Sequence, residues 1–155
     1  MDYQKDFIVD FAKRTRTNLE FIEQAKNTEV FEVTQLFNSM LGLLVFPQQS
    51  YFDRIPETPL RDLVTNGWPV IKIIRGQTQC ETLNQLIRML RNGISHCNVE
   101  FIADEARQLT GLRIWNHERG DRRHGKNWEA ELSIQELRSV AFKFIELIES
   151  QATRS

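Results

Sequence analysis

The sequence predicts a mainly α protein: a helical bundle that carries a small antiparallel β insert before its last helix. Three observations predict it. Four stretches space their apolar residues at the helical period. Between the third and the fourth, over about 99–132, the pattern changes to short β-rich runs separated by turn residues. Hydrophobic residues make up 41% of the chain, ten of them phenylalanine, which is too apolar for a disordered polymer.

The first helix is expected from about Tyr3 to Lys26, where Phe7, Ile8, Phe11, Leu19, Ile22 and Ala25 recur without an intervening Gly or Pro. Lys13, Arg14 and Arg16 form a basic patch on it. The second helix, about Val30 to Phe46, is apolar nearly all round, so it belongs at the centre of the bundle. Its Gly42 lets a neighbour approach closely, and its polar Gln35 and Asn38 read as an exposed edge or a buried hydrogen bond. Pro47 stops the helix and Gln48 to Pro56 reads as a loop. Thr58 is then an N-cap, with Pro59 in the first helical position of a short helix that runs to Thr65 and ends at Asn66-Gly67. Trp68 to Arg75 fits a short strand or a packed turn equally well.

A third long helix is expected from about Thr78 to Asn98. After it, Val99–Ala103, Gly111–Trp115 and Asn127–Leu132 read as three short antiparallel strands, with Arg119 to Lys126 a long polar turn. Ser133-Ile-Gln-Glu136 is a capping box, in which serine and glutamate each satisfy an orphan backbone donor. It opens a last helix with Leu137, Val140, Ala141, Phe144, Ile145 and Ile148 on one face.

At 155 residues the chain reads as one domain, 1–155, long enough to bury a core. No apolar run approaches a membrane span and the N-terminus lacks a signal-peptide pattern. Cys80 and Cys97, near opposite ends of one helix, are too far apart to pair, so reduced thiols and a cytoplasmic location are expected. A net charge of −1 argues against indiscriminate coating of nucleic acid, but not against one small RNA site.

The densest chemistry is the hexad Arg91-Asn-Gly-Ile-Ser-His96. At roughly 100° per residue, Leu83, Leu86, Ile87, Leu90 and Ile94 fall in one narrow stripe, with Cys97 at its margin. Asn92 and His96, four apart, project together from about the opposite side. Arg91 flanks them, about 140° from His96 on an ideal helix. Gly93 within the hexad costs about 1 kcal/mol relative to alanine and could loosen the helix there. Arginine holds phosphate through a planar fork of donors, and histidine moves protons near neutral pH. A polar helix face is, all the same, most often only solvated, and a single histidine on it most often does nothing.

The hexad, late in an apolar helix of a small helical domain, resembles the signature of the HEPN superfamily. The run Phe31-Glu-Val-Thr-Gln-Leu-Phe-Asn-Ser-Met-Leu-Gly-Leu-Leu-Val-Phe46, followed by Pro47, is similar to the second helix of stand-alone bacterial and plasmid-borne HEPN proteins. The resemblance extends from the first helix through residue 98. It implies a HEPN-like bundle and a metal-independent ribonuclease site made by Arg91, Asn92 and His96 at the interface of a homodimer, acting on RNA with no cofactor. It further implies a toxin or phage-defence effector, with an antitoxin or regulatory protein as a further partner and no membrane. The β insert departs from a pure bundle, though some stand-alone HEPN proteins carry such an addition. Non-catalytic members offer the alternative: a module that binds RNA, nucleotide or a partner protein.

Local charge adds a second expectation. Arg113, Arg119, Arg122, Arg123 and Lys126 face only Glu118 and Asp121 in their stretch, so they read as an RNA-backbone grip or, equally, as a solvated loop. Metal ligation is not expected, because the three histidines have no ligand spacing and no Cys-x-x-Cys or His-Glu-x-x-His occurs. His117 and His124 read as surface residues or phosphate contacts. No phosphate-cradling glycine loop and no serine nucleophile motif is present.

Overall fold

The computed structural model describes residues 3–25, 30–47 and 49–152. The expected helix end at Lys26 and the expected loop residue Gln48 lie outside them. The long helices are α1 (Tyr3–Gln24), α2 (Glu32–Val45), α5 (Leu83–Ser95) and α6 (Ile134–Ala152), with two short helices, α3 (Gln49–Phe52) and α4 (Leu60–Leu63), between α2 and α5. The strands are β1 (Lys72–Arg75), β2 (Val99–Ala103), β3 (Leu109–His117) and β4 (Lys126–Ser133), all antiparallel, in the order β1-β4-β3-β2.

This corrects the expected fold class. The protein is mixed α/β, and its sheet is no insert confined to the stretch before the last helix. The undecided Trp68–Arg75 segment supplies β1, which crosses from before α5 to pair with β4, Lys72 opposite Glu131 and Ile73 opposite Ala130. Gly76 then turns with φ 77°, where a side chain would run into the Asn127 carbonyl and Trp128.

One face of the sheet carries the core. Leu112 and Ile114 of β3 and Trp128, Ala130 and Leu132 of β4 alternate with outward residues, and all five are fully buried. Helices α5 and α6 lie on that face, α2 packs on both of them, and α1 packs on α2 and α6. The expected apolar faces of α5 and α6 are buried throughout. Gly42 makes the close contact expected of it: a Cβ there would stand 2.6 Å from Cζ of Phe11. Ion pairs Arg16–Glu149 and Arg138–Glu23 tie α1 to α6, and Arg14 pairs with Asp10, so two of the three cations of the α1 patch are neutralised.

Several boundaries differ from expectation. Part of the expected 48–56 loop is α3. Pro59, not Thr58, is the N-cap of α4, held by a bridge to Thr82, and a 3₁₀ turn over Val64–Asn66 completes the segment. Helix α5 starts at Leu83 behind a capping box of Thr82 and Gln85 and stops at Ser95. The capping box of Ser133 and Glu136 forms as expected, with bonds of 2.7 and 3.1 Å.

The opposite face of the sheet is knitted by charge. Lys72, Glu131, Arg113 and Glu100 stand directly across from one another on β1, β4, β3 and β2. Their successive N···O distances are 3.4, 3.1 and 3.5 Å. Opposite charges in register are the favourable cross-strand pairing.

Candidate active site at the end of helix α5

The end of α5 is a Schellman motif. Asn98 N–H donates to the Gly93 carbonyl at 2.8 Å and Cys97 N–H to that of Ile94 at 3.0 Å, with Cys97 left-handed at φ 53°. His96 is the C-cap, and its N–H still donates to the Asn92 carbonyl at 3.1 Å. The one-turn relation between Asn92 and His96 therefore persists, and both are exposed. Ser95 is also exposed, its Oγ donating back to the Arg91 carbonyl at 2.6 Å.

Gly93 does not loosen this helix; it seats it. A Cβ at Gly93 would collide with Cγ2 of Ile114 and stand 3.2 Å from the Trp115 carbonyl oxygen. Only a residue without a side chain lets the motif turn of α5 lie directly on β3. Asn116 of β3 adds a tether, donating to the Met89 carbonyl at 2.9 Å.

Arg91 turns toward α3. Its guanidinium carbon sits 5.0 Å from the centroid of the fully buried Phe52 ring. Its Nε is enclosed with no hydrogen-bond partner, and no carboxylate pairs with it among the described residues. Arg88, one turn earlier, is by contrast neutralised by Asp53 at 2.6 Å. The Phe52 shelf is itself pinned by α5. Buried Asn84 donates to the carbonyls of Phe52 and Ile55 at 2.7 and 3.0 Å, and its Oδ1 accepts from Arg88 Nε at 2.6 Å. Sequence reasoning missed Asn84, Arg88 and Phe52. The available signal was the i, i+4, i+7 spacing of Asn84, Arg88 and Arg91, a polar stripe beside the apolar one.

The five cations of the expected RNA grip fall into different settings. Arg113 lies in the charge ladder of the outer sheet face, and its hydrogen bond to Glu131 raises its pKa and lowers that of the glutamate. Arg123 is held by Asp121 in a fork, Nε to Oδ1 at 3.1 Å and Nη2 to Oδ2 at 2.7 Å, which keeps the aspartate below the ordinary carboxylate range. Lys126 pairs with Glu129 at 2.7 Å and lies 4.2 Å from the Trp115 ring centroid. Arg119 is exposed on a left-handed residue, φ 54°. Arg122 alone touches the motif: its Nη2 donates to the His96 carbonyl at 2.9 Å.

The other candidates lie apart. His117 Nδ1 is 2.9 Å from the His124 carbonyl within the β3–β4 turn, and His124 Nδ1 is 3.6 Å from Asp121. Both cysteines are free thiols; burial pushes Cys80 up to about 11, and Cys97 is exposed. Among the described residues, no three His, Cys, Asp or Glu side chains gather as metal ligands. No described helix is long and apolar enough to cross a membrane.

The end of α5 thus presents an amide, an imidazole and a guanidinium without a counter-charge, the last held against an aromatic ring. Such a set can bind an anion and exchange a proton beside it. In comparison with known proteins, the family model described as HEPN pEK499 p136 matches residues 1–155. No curated protein and no solved structure matches the chain.

Proposed function

The chain belongs to the HEPN pEK499 p136 family, and from that premise we propose that it is a metal-independent endoribonuclease serving as a toxin or phage-defence effector. RNA carries its own nucleophile in the 2′-hydroxyl, so the protein has only to move protons and hold charge. His96 exchanges protons with the attacking and leaving oxygens. Arg91 stabilises the pentacoordinate phosphate through its planar fork, and Asn92 positions it.

One histidine is fewer than a two-proton reaction needs. A two-fold homodimer with the α5 ends facing each other supplies the second, and the exposure of Asn92, Ser95 and His96 leaves that face open to it. The observation that carries the reading is the state of Arg91. A guanidinium with no facing carboxylate among the described residues and an unpartnered Nε keeps its charge for an anion. Its position five residues before an exposed histidine, at the end of the same helix, suits phosphodiester chemistry.

Incubating the purified protein with total RNA, beside a His96→Ala control, tests the proposal. Cutting by the wild type and not by the variant is the expected result. RNA binding by both proteins with cutting by neither would make this a non-catalytic HEPN module.

A further inference from the structure

The turn between β3 and β4 is rich in cations, but composition does not say which of them an incoming anion can use. Partnering does. The charge of Arg123 is answered by Asp121, that of Lys126 by Glu129, and that of Arg113 by Glu131 with Glu100 close by. Among the described residues neither Arg119 nor Arg122 has a carboxylate partner, and of the two only Arg122 touches the motif, donating to the neutral carbonyl of His96. A guanidinium has five N–H donors and this contact engages one nitrogen, so the exposed remainder keeps its full charge and most of its fork. The contact also fixes where that charge stands, because His96 is itself held by the Schellman motif at the end of α5. Two arginines without a facing carboxylate are therefore anchored on the motif, Arg91 from the helix and Arg122 from the hairpin.

We infer that Arg122 is a second phosphate-binding residue of this site, taking a backbone phosphate other than the one at which Arg91 acts, so that the ligand is an RNA strand with successive phosphates and not a mononucleotide. The inference rests on the ribonuclease reading above. It narrows that reading by assigning the polymer contact to one residue of the turn. Arg123 and Lys126 contribute little, since an anion would have to displace the carboxylates that already hold them.

The test is equilibrium binding of a short 2′-O-methyl RNA, which cannot be cut, and of a nucleoside 3′-monophosphate. Both are measured across a salt series with the wild type, Arg122→Gln, Arg122→Lys and Arg123→Gln. Losing one charge-assisted contact costs on the order of tenfold in affinity. Arg122→Gln should therefore bind the RNA about tenfold more weakly, with a salt slope shallower by about 0.7. Arg122→Lys should restore the slope, and Arg123→Gln should match the wild type. The mononucleotide should bind wild type and Arg122→Gln alike. An Arg122→Gln variant with the wild-type RNA affinity and slope overturns the inference, and so does one that loses mononucleotide binding in equal measure. A wild type that binds no RNA at all overturns the ribonuclease reading itself, which separates the two failures.

Discussion

The guanidinium carbon of Arg91 lies 5.0 Å from the centroid of the Phe52 ring, so the cation of the candidate site rests on a fully buried aromatic face supplied by α3. A cation over such a ring gains about 0.5–2 kcal/mol, depending on how dry the contact is. Phe52→Ala would cost about 3–5 kcal/mol of stability and confound the result. Phe52→Leu removes the ring face but keeps an apolar side chain, so it leaves a smaller cavity than alanine would. It should weaken RNA cleavage several-fold while the urea midpoint stays within reach of the wild type. Unchanged kinetics beside a lowered midpoint would make Phe52 a core residue and nothing more.

Gly93→Ala separates helix propensity from packing. On propensity alone alanine would add about 1 kcal/mol. The new methyl would meet Ile114, and overpacking of a core costs about 1–3 kcal/mol. Net destabilisation by urea denaturation is expected, with activity reduced further as the motif turn shifts off β3. A stabilised variant would show that α5 does not need this close approach.

Much of this was legible from local pattern. The apolar stripe of α5, the shared face of Asn92 and His96, and the capping box of Ser133 and Glu136 are periodicities of one element, and they hold in the structure. What was not legible involves partners far apart in the chain. Strand β1 has four residues, too few for a period to declare itself, and its partner β4 lies beyond α5 and two other strands. The mixed α/β architecture was missed for that reason. Gly93 read as a weak point because its neighbour, Ile114, belongs to another element. The cations from Arg113 to Lys126 read as a single patch because strand alternation and turn geometry, which hand most of them to carboxylates, are invisible in a charge count.

The charge ladder of the outer sheet face makes stability depend on acid. Arg113 beside Glu131 holds that carboxyl below its ordinary value, so the folded state favours the charged form. The stabilisation is complete above the ordinary carboxylate range, about pH 4–5, and is lost as pH falls through the lowered folded value. Asp121, lowered by Arg123, adds with the same sign. Thermal midpoints should therefore fall on acidification, and Glu131→Gln should flatten that limb while leaving the protein less stable at neutral pH. Superimposable profiles for the two proteins would remove the ladder from the account.

A composite site requires two copies. Light scattering should return about twice the 18.3 kDa chain mass. Mixed dimers of wild-type and His96→Ala chains keep one site histidine and should cut far more slowly than the wild-type dimer. A strict monomer at micromolar concentration would leave each site with one histidine and argue against the two-proton scheme.

In the proposed reaction the end of α5 cleaves RNA by way of the RNA's own hydroxyl, with His96 moving protons and Arg91 holding the phosphate. Analysis of the product termini after cleavage in excess chelator tests it most directly. Undiminished cutting and 2′,3′-cyclic phosphate ends are expected. His96→Ala should lose about 10²- to 10⁴-fold in rate, and Arg91→Lys should fail, because its point charge does not replace a planar fork. Abolition of cutting by the chelator, or products bearing 5′-phosphates, would contradict the proposed reaction.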